Sequence, residues 1–213
     1  KMLEEKYTSQ NVRERMPRRT QTLITGFEAF GKVQSNPTDR IVRALSYTCI
    51  EGQEVVGYVL PVSYTYLFDW LRAILEVGGR GGQPFDTLLH LGVALGSPHW
   101  RVEELARNEC GQAPDGEGKT PLQSWITQAG DFLLSGSLPT EAIVNDLNAN
   151  NIPTKVSMSA GDYLCNYLYY RSLELVAGMP NPPRVGFLHV PADTETFDSK
   201  VMSAPVFPFE THL

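Results

Sequence analysis

A thiol, an imidazole and a carboxylate are the inventory for nucleophilic acyl transfer: the sulfur attacks, the ring moves protons and the acid orients the ring. This chain of 213 residues carries all three on segments far apart. Cys165 stands in 155–170, KVSMSAGDYLCNYLYY. That stretch opens on a short apolar run at 156–158 and turns through Ser159, Ala160 and Gly161. It then places Tyr163, Leu164, Tyr167 and Leu168 at helical spacing. The thiol therefore falls in the first turn or so of a helix that follows a strand. Unpaired N–H groups and the positive end of the helix dipole favour thiolate there, so a lowered pKa and a nucleophilic sulfur are expected. A buried, inert cysteine is the alternative reading. His189 closes an apolar strand at 184–190, where a satisfied core histidine is the alternative. Glu103 and Glu104 follow the strand that ends near Val93, and a solvated acidic face is the alternative there.

Strands alternating with helices are what would position these groups. Residues 22–25 (TLIT) read as a first strand that runs into Gly26-Phe27-Glu28-Ala29-Phe30-Gly31. Glycines permit a sharp turn that presents both rings to a cleft, and plain core packing is equally open. The spacing matches neither a dinucleotide nor a P-loop motif. Asn36 and Pro37 open a helix, as N-cap and first helical residue. A second strand is expected at 54–61, then an amphipathic helix at 64–77 with Leu67, Trp70, Leu71, Ile74 and Leu75 inward. Residues 86–93 are nearly continuous in apolar side chains, as in a central parallel strand. Segment 101–108 reads as a short strand or a helical turn, and 108–119 as a mobile loop of the kind that covers a site. That loop lacks an EF-hand pattern. Segment 125–139 reads as an edge strand or a lid, and 140–148 as a helix with a Thr cap and Ile143, Val144 and Leu147 inward. The strand at 155–158, the cysteine helix to about Val176 and the strand at 184–190 complete the series.

The fold class is α/β: a three-layer α/β/α sandwich around a mostly parallel, open twisted sheet. Ligands of such sheets bind outside the carboxyl ends of the strands. That rule brings Cys165, His189 and an acid from 103–104 to one rim.

Composition narrows the function. Hydrophobic content of 42% suits one large domain, 21–213, preceded by a polar arm, 1–20, with Arg13, Arg15, Arg18 and Arg19. A net charge of −6 is unlike the basic footprint of a nucleic-acid binder. No apolar run reaches membrane-spanning length, and the N-terminus holds no apolar signal core. Three cysteines, odd and sparse, indicate a reducing compartment, so a cytoplasmic location is expected. The spacing of the cysteines and of the four histidines forms no metal pattern, and no cofactor is expected. After Pro191 no convincing helix follows, so an irregular or shortened C-terminus is expected.

Four blocks resemble the pyroglutamyl peptidase I (pyrrolidone carboxyl peptidase) family of cysteine peptidases. They are 25–31 with Asn36-Pro37-Thr38; Leu60-Pro61-Val62; 90–108; and 156–166 with Phe187-Leu188-His189-Val190-Pro191. The run Ser-Ala-Gly-x-Tyr-Leu-Cys-Asn at 159–166 is the most specific, and the similarity covers roughly 22–191. The resemblance implies an α/β/α sandwich that removes N-terminal pyroglutamate from peptides through a thioester, with the oligomeric state undetermined. It puts the nucleophile on Cys165, the histidine on His189 and the acid on Glu103. It implies a pyroglutamyl pocket lined by Phe27, Phe30, Tyr163 and Leu164, with Val93 offering backbone groups to the lactam. The chain departs from the family pattern at Glu104, where a basic residue is usual, and at Ser97, where arginine follows the glycine. It departs again at Cys110-Gly111-Gln112, with one residue fewer. Loop structure and oligomer contacts are expected to differ there. Two other functions stay open: a different cysteine amidase on the same scaffold, and a catalytically inactive pyroglutamyl-binding relative.

Overall fold

Apolar runs form the sheet and amphipathic runs cover it. The computed structural model describes residues 19–196 and 207–212. In chain order the elements are β1 (Gln21–Phe27), α1 (Pro37–Leu45), β2 (Cys49–Ile50), β3 (Gln53–Leu60), α2 (Leu67–Val77), β4 (Thr87–Ala94), β5 (Trp100–Glu103) and β6 (Leu105–Arg107). They continue as β7 (Leu133–Ser135), α3 (Thr140–Ala149), β8 (Thr154–Ser157), α4 (Leu164–Ala177) and β9 (Arg184–Pro191). Seven strands form one sheet in the order β2-β3-β1-β4-β9-β5-β8, and β6 pairs with β7 in a separate ribbon. The central strands β3, β1, β4 and β9 are parallel, as expected. At one edge β2 is antiparallel to β3, and further across β5 is antiparallel to β9 but parallel to β8.

Alternation along the strands divides the core between two faces. Leu23 of β1, Leu88 of β4 and Phe187 of β9 pack with Leu67 and Leu71 of α2 and with Leu164, Leu168 and Tyr169 of α4. On the other face Ile24, Leu91 and Val190 pack with Ile41 and Val42 of α1 and with Trp100. Trp100 also meets the ring of Phe207 at 4.7 Å between centroids, which fixes the described C-terminal residues to this face. They end in a short 3-10 turn, Phe209–His212. The arm expected at 1–20 lies almost wholly outside the described residues.

Several local expectations change. Asn36 caps α1 as read, its Oδ1 accepting the Thr38 N–H at 3.1 Å. Thr140 does not cap α3: it is the first helical residue, and its hydroxyl donates to the Leu138 carbonyl instead. Trp70 of α2 is half exposed, because the buried stripe is the narrow one of Leu67, Leu71 and Ile74. Segment 101–108 is strand on both sides of Glu104, with no helical turn. The loop at 108–119, read as mobile, is tied down. Asp115 accepts the N–H groups of Tyr64, Glu117 and Lys119, each at 2.9 Å. Asn108 accepts those of Ile126 and Thr127, each at 2.8 Å.

The helix that carries Cys165 is fastened to the β5–β6 strip. Asn166 accepts the Arg107 N–H at 2.9 Å and donates to the carbonyls of Arg107 and Glu109 at 2.8 and 2.9 Å. The Tyr169 hydroxyl donates to the Glu103 carbonyl at 3.0 Å. Asn166→Ala strands three backbone groups at a fully buried position. The expected loss is about 1–3 kcal/mol, read as a fall in the urea midpoint. An unchanged midpoint would show that α4 is held by its apolar face alone.

Candidate active site

His189 and Glu103 meet because β5 runs against β9. The register pairs Arg101 with His189 and Glu103 with Phe187. Side chains two apart share a face, so Arg101 and Glu103 point to the same side as His189, with Glu103 on the diagonal. The result is a 2.7 Å hydrogen bond between His189 Nδ1 and Glu103 Oε1. Both groups are buried, at 4% and 1% exposure, so water does not compete for this bond. With Nδ1–H donating to the carboxylate, Nε2 keeps its lone pair for a proton. The route differs from the expected one. Glu103 reaches the histidine from a neighbouring antiparallel strand and not from the carboxyl-end rim of β4.

Cys165 arrives from the other side. The chain leaves β8, turns at Gly161 with φ +86, and enters α4 with Cys165 as its second residue. Cys165 Sγ and His189 Nε2 both lie 2.8 Å from the point where a Cβ on Gly92 would stand. Sulfur and nitrogen are therefore no further apart than twice that distance. Gly92 belongs to β4, beside β9, and its lack of a side chain is what lets the two groups converge.

Electrostatics reverse one expectation. Burial pushes the Cys165 thiol up to about 12, with the Glu103 charge adding to the rise. Arg101 and the residue's own N–H act downward but do not offset it. The helix terminus was expected to lower this pKa; desolvation of the sulfur outweighs it. Burial also lowers His189, against the upward pull of Glu103. Both directions favour a resting thiol beside a neutral imidazole.

A cavity of about 260 Å³ opens beside the sulfur. Phe27, Phe30, Val93, Tyr163 and Leu164, all singled out from the sequence, line it with Val62, Ala160, Asn36 and Arg101. Phe27 serves both readings, since it is also 3% exposed within the core. Tyr163 stacks near Phe30 and meets Tyr64 edge-on at 5.8 Å, and its hydroxyl donates to the Pro114 carbonyl at 2.9 Å. The 108–119 loop thus buttresses the cavity wall. Two residues that shape the site escaped the sequence reading. Arg101 faces the cavity two residues before Glu103, a spacing that puts both on one face only if the segment is a strand. Gly92 is visible only as a glycine within an apolar run. His90, by contrast, is the satisfied core histidine: Thr25 and Ser172 hydroxyls hold its two nitrogens at 2.7 and 2.9 Å. Among the described residues no cluster of metal-ligating side chains is present.

Fold and site together define an α/β protein with a thiol, an imidazole and a carboxylate gathered beside a small, mainly apolar cavity. The family model described as pyroglutamyl peptidase matches residues 20–213, and the chain belongs to that family. A pyrrolidone-carboxylate peptidase of Pyrococcus furiosus is 36% identical over 187 residues, 87% of this chain and 88% of that protein. The solved pyrrolidone carboxyl peptidase from Thermococcus litoralis superposes with a TM-score of 0.81 at 32% identity, covering 91% of this chain and 88% of that one. Pyroglutamyl peptidase I from Bacillus amyloliquefaciens gives 0.84 at 28% identity, covering 92% and 90%. Membership supports a peptidase acting on peptide substrates. No described helix is long and apolar enough to cross a membrane.

Two outcomes follow from this geometry. Gly92→Ala places a methyl group against Sγ and the imidazole, and is expected to lower kcat/KM by about 100-fold through misplacement alone. Near-normal activity in that variant would mean the two groups need not converge there. With His189 read as the base and Cys165 as the nucleophile, the acid limb of kcat/KM should lie below the ordinary 6.5, because burial lowers the His189 pKa. The alkaline limb, set by loss of the thiol proton, should lie well above the ordinary 9.0. A pH–rate profile with its acid limb above 7 would contradict the resting neutral pair.

Proposed function

We propose that the chain is a cysteine peptidase that removes N-terminal pyroglutamate from peptides, with Cys165 as nucleophile, His189 as acid and base, and Glu103 as the group that orients His189. The observation that carries this reading is the 2.7 Å Glu103–His189 bond, with Nε2 and the Cys165 sulfur converging over Gly92 at the edge of the cavity. Pyroglutamate is a neutral lactam with no free α-amine. It suits a small pocket of aromatic and aliphatic walls that carries no carboxylate for an ammonium group. Phe27, Phe30, Tyr163 and Leu164 would enclose the ring, and backbone groups at Val93 would meet the lactam.

In the first half-reaction Sγ attacks the carbonyl carbon that follows pyroglutamate while its proton passes to His189 Nε2. The rising negative charge on the carbonyl oxygen is met by N–H groups at the start of α4. The carbon–nitrogen bond then breaks, and Nε2 returns the proton to the departing amine. A thioester on Cys165 remains. Water adds to it as Nε2 takes a proton, and the sulfur leaves as the thiol with pyroglutamic acid released. Glu103 keeps Nδ1–H fixed throughout and stabilises the imidazolium form. Because the resting thiol holds its proton, substrate binding and proton transfer to His189 are coupled.

That enclosed, high-pKa thiol also favours a second reading, a pyroglutamyl-binding relative with little turnover. One assay separates the two. Hydrolysis of a pyroglutamyl fluorogenic amide is expected, with Cys165→Ala reducing it to background at an unchanged Tm. Prolyl and glutaminyl amides should be poorer by at least about 100-fold, because neither presents both the lactam N–H and its carbonyl. Binding of pyroglutamate without hydrolysis by the unaltered chain would establish the binder. Comparable rates on the prolyl amide would point to a different amidase.

A further inference from the structure

We propose that Arg101 is a positioning residue of this site: it balances the buried charge of Glu103 and gives the Cys165 sulfur a cation to ionise against. The proposal rests on the Cys165–His189–Glu103 reading and adds a fourth group to it.

The Glu103 side chain is wholly buried and receives one hydrogen bond, from His189, on Oε1. Its Oε2 is buried without a partner. A carboxylate in such a place needs a compensating positive charge, and a neutral imidazole supplies none. Among the described residues Arg101 is the Lys or Arg within ion-pair range, its Nε 3.4 Å from Oε1. The backbone places it there. Arg101 stands directly opposite His189 and two residues before Glu103 on the same face of β5. One side of the guanidinium thus approaches Glu103, while the residue also lines the cavity that holds Cys165. Guanidinium is a fixed cation, so its charge stays in the site while protons move between sulfur and ring.

The charged groups that act on Cys165 and His189 are Glu103 and Arg101, both from β5. They oppose each other at the sulfur: Glu103 raises the thiol and Arg101 lowers it. At the imidazole Glu103 raises and Arg101 lowers. Removing the arginine charge therefore moves both pKa values in one direction, upward. A purely structural role would lower activity without moving the two limbs together.

The test compares Arg101→Gln with Arg101→Lys. In R101Q both limbs of the kcat/KM profile should shift up by about one pH unit. The midpoint for alkylation of Cys165 by iodoacetamide, measured without substrate, should shift by the same amount. At neutral pH kcat should fall about tenfold or more with KM changed less than threefold. R101K should return both midpoints most of the way. R101Q with unaltered midpoints, or R101K shifted as far as R101Q, would overturn the proposal. Should R101Q fail to fold by circular dichroism, R101K decides alone: midpoints within half a unit of the parent support the proposal, and a full unit overturns it. The alkylation arm needs no turnover, so a chain inactive on pyroglutamyl amides would sink the peptidase reading and still report on Arg101.

Discussion

One strand pairing holds the site together. β5 lies antiparallel to β9 in a sheet whose central strands are parallel, and that reversal brings an acid beside a histidine from another part of the chain. A parallel β5 would pair other residues with those around His189. The antiparallel register instead seats the carboxylate on the diagonal of a rigid ladder, inside the protein, where the 2.7 Å bond excludes water. The pairing is reinforced from the helical layer. Tyr169 holds the Glu103 carbonyl and Asn166 holds Arg107 and Glu109, so the helix bearing the thiol is anchored to the strip bearing the acid. Misplacing the strip would part Glu103 from His189, and misplacing the helix would part Cys165 from His189.

Burial then sets the protonation states. The sulfur and the imidazole both lose solvation, and each answers by favouring its neutral form. At the sulfur the helix terminus and Arg101 pull the other way without prevailing; at the imidazole Arg101 acts with burial, and Glu103 is what opposes it. In the proposed mechanism a neutral pair at rest suffices because the proton moves during the attack, with the Nδ1 bond to Glu103 keeping Nε2 ready to receive it. The aromatic wall works in the same direction. Phe27, Phe30 and Tyr163 give the cavity apolar walls, which strengthen the electrostatic contacts beside them.

One of the departures from the family pattern, at 110–112, falls in the loop that meets the cavity wall. Asp115 gathers three N–H groups and Asn108 gathers two, so the Gly-rich loop closes on its own polar side chains. Cys110, within that loop, is buried, while Cys49 is exposed. Through the Pro114 carbonyl the loop touches Tyr163 and so the cavity itself. The altered residues at 110–112 thus lie in a segment with a defined conformation.

Much of this was legible in the residues themselves. Period-two and period-3.6 patterns exposed the central strands, the amphipathic α2 and the strand-turn-helix that carries Cys165, because burial on a regular element leaves a regular trace. Asn36-Pro37 declared the start of α1 by cap chemistry alone. The family blocks pointed to Cys165, His189 and Glu103, and to the rings now found around the cavity. Other features have no local signature. The direction of β5 depends on which strand it pairs with, a choice made by packing, so neither the diagonal meeting of Glu103 and His189 nor the place of Arg101 could be read from spacing. The need for glycine at 92 exists only once Sγ and Nε2 crowd the same point. The thiol's pKa likewise depends on how deeply the fold encloses the sulfur; helix position predicted the opposite direction, because a sequence shows the dipole but not the desolvation.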